Sequence, residues 1–209
     1  DKNAYERNKE AVHNENKYVF NCMNTDKICI FTDTGKMHTI KAVDIPLGRF
    51  RDKGTPVDNL SNYDSSQERM LYVAPVGQLR SDRLLFVTKT SMCKLVEGAE
   101  FDVAKRTIAS TKLADEDELI FIGSASEMEQ IVLQSHGGCF LRFLTQEVST
   151  MKKTALGVRG MKLADDDYLE HAYLLAGHQE YTISYHDKEY ALNKVRLAKR
   201  DTKGIKPRI

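Results

Sequence analysis

The strongest constraint on this chain is internal repetition. The stretch Asp26-Lys-Ile-Cys-Ile-Phe-Thr-Asp-Thr-Gly35 aligns with Asp82 to Ser91, with Glu129 to Gly138 and with Gln179 to Lys188. In each copy the third and fifth residues are large and apolar: Ile28/Ile30, Leu84/Phe86, Ile131/Leu133 and Tyr181/Ile183. Two apolar residues spaced two apart are what a strand with one buried face requires. A second motif recurs further along, Lys112-Leu-Ala-Asp-Glu-Asp-Glu-Leu119 against Lys162-Leu-Ala-Asp-Asp-Asp-Tyr-Leu169. Copies starting near 26, 82, 129 and 179 are spaced by roughly 50 residues, a period of radial or stacked β architectures and not of helical arrays. About four strands fit in each copy, so one blade per repeat is the natural unit.

Within a copy the first half reads as a hairpin. Gly137-Gly138 supplies a positive-φ turn, and Phe140 to Phe143 return in extended form. Strands are expected over Tyr18 to Cys22, Ile28 to Thr32, Lys36 to Ile40, Met70 to Ala74 and Leu84 to Thr88. The second copy is the degenerate one, with Ser91 in the turn-glycine slot and Thr107 where the third copy has Gly157. Between Lys41 and Val57, two prolines and two glycines exclude a regular helix and force an exposed loop. Residues 1 to 17 are polar, with Tyr5 and Val12 as the larger apolar groups, and read as a turn of helix or a frayed blade edge. Asp1 to Phe20 is expected to be the back half of an earlier copy, and Gly204, near the other end, takes the place of Gly157. Beginning in mid-repeat, the chain reads as a piece of a longer one. The expected fold is all-β, a single domain over 1–209 forming a ring or arc of four to five four-stranded blades.

Composition removes several functions. The 31 basic and 30 acidic residues balance to a net charge of +1, so the distribution of cations must decide any affinity for nucleic acid. There is neither an apolar run long enough to cross a membrane nor a signal-peptide pattern. Cys22, Cys29, Cys93 and Cys139 lack metal-ligand spacing, and three of them fall in expected strands as small buried hydrophobes. The histidines form no metal-binding or nucleophilic pattern. Asp115 to Glu118 and Asp165 to Asp167 lack the alternation and distal Glu of a calcium loop, and are expected to be polar turns facing away from any anionic ligand.

Leu156-Gly-Val-Arg-Gly-Met-Lys-Leu-Ala-Asp-Asp-Asp167, following a Gly-turn hairpin, resembles the repeat of the C-terminal domain of the A subunit of bacterial type IIA topoisomerases, DNA gyrase and topoisomerase IV. The resemblance implies a β-pinwheel, a propeller-like ring whose blades exchange strands, with a rim that binds, bends and wraps duplex DNA. It implies that catalysis, ATP and Mg belong to other domains or subunits of an ATP-dependent enzyme that supercoils or decatenates DNA. The implied partners are double-stranded DNA, the enzyme's N-terminal domain and its ATPase B subunit, in the bacterial cytoplasm. Gyrase carries a Gln-Arg-Arg-Gly-Gly-Lys-Gly box needed for wrapping. The heptad is absent, and Gly48-Arg-Phe-Arg-Asp-Lys-Gly54 comes nearest to it. Gyrase and topoisomerase IV both remain open. A protein interaction platform of the kelch or WD kind is the alternative, although the chain has no Trp.

Basic residues recur between the return strand and the acidic turn. The DNA-binding candidates are Lys36, Lys41, Arg49, Arg51 and Lys53 in the first copy, Arg106 in the second, Arg142, Lys152, Lys153 and Arg159 in the third, and Arg196, Lys199, Arg200 and Lys203 in the fourth. Equivalent positions of a radial repeat should share one rim, where a curved line of cations suits the phosphates of a bent duplex. In the loop Gly48 to Gly54, glycines at both ends are expected to turn the backbone. Alternation would then present Arg49, Arg51 and Lys53 on one side of an extended loop. Lys112 and Lys162, on the acidic-turn side, are expected to lie off this surface.

Overall fold

The computed structural model describes residues 2–208; Asp1 and Ile209, the outermost residues of the two terminal stretches read above, lie outside the described residues. Among the described residues a helix, α1 (Lys2–Glu15), precedes thirteen strands, and a single helical turn, Val76–Leu79, lies between the third and fourth of them. They are β1 (Lys27–Thr32), β2 (Lys36–Lys41), β3 (Met70–Pro75), β4 (Arg83–Thr88), β5 (Met92–Glu97), β6 (Thr107–Ala109), β7 (Leu119–Ser124), β8 (Gln130–Ser135), β9 (Phe140–Leu144), β10 (Val158–Arg159), β11 (Leu169–Leu175), β12 (Thr182–Tyr185) and β13 (Lys188–Ala191).

The sheets do not follow the repeat boundaries. Their orders are β3-β1-β2-β6, β10-β5-β4-β7, β11-β8-β9 and β12-β13. The first three repeats each build a hairpin and a third strand for their own blade, and the second, third and fourth each hand an outer segment to the blade before. Thus β6 of the second repeat pairs with β2 of the first, with Ile108 opposite Met37. In the same way β10 of the third pairs with β5, Val158 opposite Cys93, and Ile205 of the fourth bridges Phe140. Thr107, Gly157 and Gly204 therefore occupy one structural position, as their sequence alignment indicates. Contacts of β3 with β7, and of β7 with β11, put these strands toward the centre. The exchanged strands lie at the opposite edges of their sheets and form the rim.

The second and third hairpins are buried on both faces because each is wedged between two neighbouring blades. Leu84, Phe86 and Val96 pack against Cys29, Phe31 and Met37 of the first blade. Leu85, Val87, Cys93 and Leu95 pack against Ile131, Leu133, Leu141 and Phe143 of the third. The expectation of one buried face per strand is corrected accordingly. Alternate residues serve two different interfaces.

Three further readings change. Lys2–Glu15 forms α1 and not the back half of a blade. Its described side chains are all exposed apart from half-buried Tyr5 and Val12, so its sequence of good helix formers carries no strand alternation. Tyr18 to Cys22 is not a strand; Tyr18 instead donates its hydroxyl to Leu71 O at 3.0 Å. The fourth repeat starts two residues later than the alignment put it. In the first three, the residue following the hairpin donates its N–H back to the first residue of the copy, Ala42 to Asp26, Gly98 to Asp82 and Thr145 to Glu129. In the fourth, Leu192 donates to Tyr181. Tyr181 is thus the counterpart of Glu129 and is 43% exposed, while Ile183 and Tyr185 carry the buried face against Val132 and Phe140. A tighter turn absorbs the shift: β12 and β13 join through His186 and Asp187, both left-handed with φ of 50° and 60°, as a two-residue hairpin of the primed type requires.

The other hairpins turn through a single left-handed residue, Gly35 (φ 75°), Ser91 (φ 72°) and Gly138 (φ 79°). Gly137, expected to share that role, is not left-handed. Ser91 tolerates the conformation because its hydroxyl accepts the Met161 N–H at 2.7 Å and its carbonyl accepts the Gly160 N–H at 2.7 Å. The turn of the degenerate repeat is thereby bolted to the strand arriving from the next one. Gly157 (φ 108°) lies so close to that blade that a Cβ would stand 2.6 Å from Cys93 O.

Ile131→Asp should destabilise the chain by about 4 kcal/mol or more, because a lone charge would replace a branched side chain sealed between two blades. Tyr181→Asp should change stability by about 1 kcal/mol or less. Urea denaturation of both variants checks the assignment, and equal effects would show that the fourth repeat is placed wrongly.

Candidate nucleic-acid interface

The connections that deliver the exchanged strands carry many of the basic residues. Lys105 and exposed Arg106 directly precede β6, and the Arg106 carbonyl receives the Thr39 N–H of the neighbouring blade at 2.8 Å. Residues 149–153 run along β5, with Leu95 and Thr150 bridged in parallel, and residues 197–202 run along β9, with Arg142 and Leu197 bridged likewise. Lys152, Lys153, Arg159, Lys199, Arg200 and Lys203 all sit on or beside these outer segments. Sheet topology therefore gathers cations from three repeats onto one rim.

The cations differ in how free they are. Lys36, at the start of β2, and Lys41, at its end, are exposed, as are Arg49, Arg51, Lys53, Arg196, Lys199 and Lys203. Lys152 is exposed and pairs with Glu100 at 3.3 Å. Arg159 projects from β10 and makes two hydrogen bonds to the Asp201 carboxylate, which raises its already high pKa. Arg106 donates weakly to Leu60 O at 3.4 Å. Three others are engaged in holding the chain. Lys153 is half-buried with Nζ on Glu100 O at 3.1 Å, Arg200 donates to Glu147 O and Arg159 O, and half-buried Arg142 donates to Asn193 O.

Lys94 also reads as a basic residue of the second copy, but it is 1% exposed. Its Nζ donates to Lys153 O at 2.8 Å and Ala155 O at 2.6 Å, with Phe86 beneath. Burial pushes its pKa down to about 8 against the opposing pull of Glu100. Lys94 is a buried clamp on the incoming connection and takes no place on the rim.

The loop after β2 departs from its expected form. Gly48 and Gly54 are not left-handed, and the chain is not extended between them. Asp52 N–H donates to Arg49 O at 3.0 Å and the Arg49 N–H to Asp52 Oδ2 at 2.8 Å, closing a turn of the kind an Asp side chain stabilises. Lys112 and Lys162 are not remote from the cations either. Their N–H groups donate to Lys153 O and Thr202 O of the incoming connections, and Lys112 lines a groove with Lys105 and Lys153.

The acidic turns have a structural task. Asp117 accepts the N–H and hydroxyl of Thr90 at 3.1 and 2.6 Å, and Asp167 accepts the Gly137 N–H at 2.8 Å. Each also takes the N–H of the residue after it. These carboxylates therefore cap the hairpin turn of their own blade. In the first repeat Glu68 holds the same slot, accepting the Thr34 hydroxyl at 3.1 Å and reaching the buried His38 at 2.6 Å. The sequence reading missed Glu68, although its place two residues before Met70 matches Asp117 before Leu119 and Asp167 before Leu169. Among the described residues no group of three or more His, Cys, Asp or Glu side chains could hold a metal ion.

Residues 26–65, 82–126 and 129–176 match the family described as DNA gyrase C-terminal domain, beta-propeller. The chain belongs to that family. The matched segments begin at the first three repeat starts, and the fold is the β-pinwheel variant of the propeller, with outer strands exchanged between blades. The chain is 27% identical to the DNA gyrase A subunit of Ureaplasma parvum serovar 3 over 85% of its own length. It is 31% identical over 68% to the DNA gyrase A subunit of Salmonella typhimurium, and 29% identical over 73% to the DNA topoisomerase 4 A subunit of Bacillus subtilis. It spans 22%, 16% and 19% of the lengths of these relatives. Among solved structures, the C-terminal domain of DNA topoisomerase IV superposes with a TM-score of 0.79 at 22% identity, over 97% of this chain and 66% of that one. The DNA gyrase A C-terminal domain superposes with a TM-score of 0.65 at 22% identity, over 88% of this chain and 60% of that one. Both likenesses bear on the fold. No helix among the described residues is long and apolar enough to cross a membrane.

The capping role of Asp167 makes stability depend on acid. Partial burial pushes its carboxyl up, but the Gly137 N–H, the Ser135 hydroxyl, the Tyr168 N–H and nearby His136 outweigh that and hold its pKa below the ordinary value. A folded-state pKa below the unfolded one contributes stability that is complete above the unfolded value near 3.9. That contribution is lost as pH falls through the folded value. Asp167→Asn should therefore be less stable than the parent at pH 6, with the difference shrinking below about pH 4. Thermal melts at several pH values measure it, and a gap that stays constant down to pH 2.5 would refute the capping role.

Proposed function

We propose that this chain binds duplex DNA along its rim without regard to base sequence and bends it, as the C-terminal domain of the A subunit of a type II topoisomerase. The observation that carries the reading is the recurrence of cations on the exchanged connections of successive blades. A propeller-like body of this kind turns the rim through an arc, so a duplex touching several blades must follow a curved path. Exposed Lys and Arg neutralise phosphates and release counterions, which supplies affinity indifferent to sequence. The elastic cost of bending is offset by the additional phosphate contacts that the bend allows.

Wrapping of this kind would bring a distant duplex segment toward the catalytic part of the enzyme. On this reading the chain itself performs no chemistry, and the N-terminal domain of the A subunit together with the ATPase B subunit would cleave, pass and reseal DNA, using ATP and Mg. Supercoiling and decatenation are both compatible with such a rim. The place of action would be the bacterial cytoplasm. Membership of the gyrase C-terminal family and the likeness to subunits of both enzymes support this reading.

Affinity for long duplex should fall roughly 10³-fold or more between low and moderate salt if about six phosphates are contacted, and should exceed affinity for short duplex that cannot span several blades. Alanine at Arg49, Arg51 and Lys53 together should weaken binding and reduce the salt slope by about three units at most. The comparison is Arg69→Ala/Lys89→Ala, which removes cations paired with Asp33 and Glu118 beside the acidic turns. Titrations by fluorescence anisotropy measure all of these. Equal affinity for short and long duplex, or none for either, would end the reading.

A further inference from the structure

Most large apolar side chains in this chain are drawn into clusters between the blades; Met23, Leu156, Tyr181, Leu197 and Ile205 are exposed singly, and one segment gathers several exceptions together. In the loop after β2, Val43 is 66% exposed, Ile45 37%, Leu47 104% and Phe50 52%. Four large apolar residues within eight positions make a patch that calls for an occupant. The head of this loop is shaped. Pro46 and Gly48 flank Leu47, the Arg49–Asp52 turn closes the segment just beyond it, and the Phe50 ring rests against Tyr5 of α1 with centroids 6.2 Å apart.

Charge indicates what the occupant is. Lys41 precedes the apolar residues, and Arg49, Arg51 and Lys53 follow or alternate with them, all exposed and none in an ion pair among the described residues. Two acids lie in the segment, Asp44 and Asp52, and the latter accepts the Arg49 N–H. An apolar head bracketed by free cations matches a duplex, whose phosphates lie on either side of an apolar stack of bases. Proteins that bend DNA insert Leu, Ile, Phe or Pro between base steps, unstacking one step to kink the helix locally.

We propose that Leu47, backed by Phe50, is a wedge that enters a base step of the duplex held by the loop cations, so that the DNA path is kinked at the first blade. The proposal rests on the DNA-binding reading above and adds to it a site, a direction of insertion and a cost. Unstacking is the expensive part of such a step, and a duplex already unstacked at one point avoids it. A mismatch also eases bending along the rim, so the wedge is marked by the share of the preference for defect-bearing DNA that depends on Leu47.

The test compares an intact long duplex with one of equal length carrying a central two-base mismatch, using the whole chain, Leu47→Ala, Leu47→Ala/Phe50→Ala and the triple alanine variant of Arg49, Arg51 and Lys53. The parent should prefer the mismatched duplex by about tenfold. Both wedge variants should lose most of that preference and show a smaller bend by end-to-end energy transfer, while keeping the parent's salt slope. The triple cation variant should lose affinity for both duplexes. Because Leu47 is fully exposed, its alanine variant should melt as the parent does; the double variant serves only if it does too. Strong binding without mismatch preference, or a preference that survives in Leu47→Ala, overturns the wedge and leaves rim binding intact. Failure of the parent to bind either duplex overturns both readings. A change in sedimentation of Leu47→Ala with unchanged mismatch preference marks the patch as a contact between protein chains and also overturns the wedge.

Discussion

Backbone pairing between the connection of one repeat and the return strand of the blade before it is the contact on which the remaining structure depends. It joins residues far apart in the chain, Val158 to Cys93 and Ile205 to Phe140 among them, and it occupies the edges of the first three blades that would otherwise stand open. Its geometry sets requirements elsewhere. The incoming backbone comes so close to Cys93 that position 157 must be glycine, and the receiving turn must offer hydrogen bonds, which Ser91 does with both its hydroxyl and its carbonyl. Lys94 belongs to the same joint, since its buried amine gathers the carbonyls of the arriving segment.

Exchange also explains why the cations are where they are. The strand handed over is the outermost of its sheet, and several of the residues leading to it are exposed. Charge placed there is presented on the rim and not in the interfaces, where alternate residues of the second and third hairpins pack against two different blades. On this outer path a basic residue is free when it also lies outside the joint. Lys199 and Lys203 satisfy both conditions, whereas Arg142, Lys153 and Arg200 help to make the joint itself.

The acids follow an equally local rule. Glu68, Asp117 and Asp167 each turn back onto their own hairpin, meeting Thr34, Thr90 and Gly137. Their recurrence in the chain looks like a cluster of charge, but in each of these three repeats one carboxylate is consumed by turn N–H or hydroxyl groups. The balanced totals of basic and acidic residues therefore conceal a division of labour, with acids stabilising turns and a subset of cations left free at the rim.

Much of this was legible from residue order because it depends on spacing along one repeat. The hairpins, their turn positions, the buried pairs Ile28/Ile30, Leu84/Phe86 and Ile131/Leu133, and the equivalence of Thr107, Gly157 and Gly204 all follow from local periodicity and from where a left-handed residue must fall. Residue order did not separate free cations from engaged ones, since Lys94, inside β5, is covered by a segment arriving from another repeat, whereas Lys105, in the bend before β6, is left exposed. It also misplaced the fourth copy by two residues, because a shorter turn with His186 and Asp187 leaves no glycine to mark it. Of the two readings left open for residues 1 to 17, the helical one holds, and over a longer span, Lys2–Glu15, because good helix formers without a periodic apolar face gave no measure of its extent. Sequence by itself thus determined the hairpin unit, its phase in the first three copies and the exposed loop around Leu47, all of which follow from local periodicity, prolines and glycines, whereas the rim and the joints were decided by strand exchange, a pairing between distant segments that no local pattern encodes.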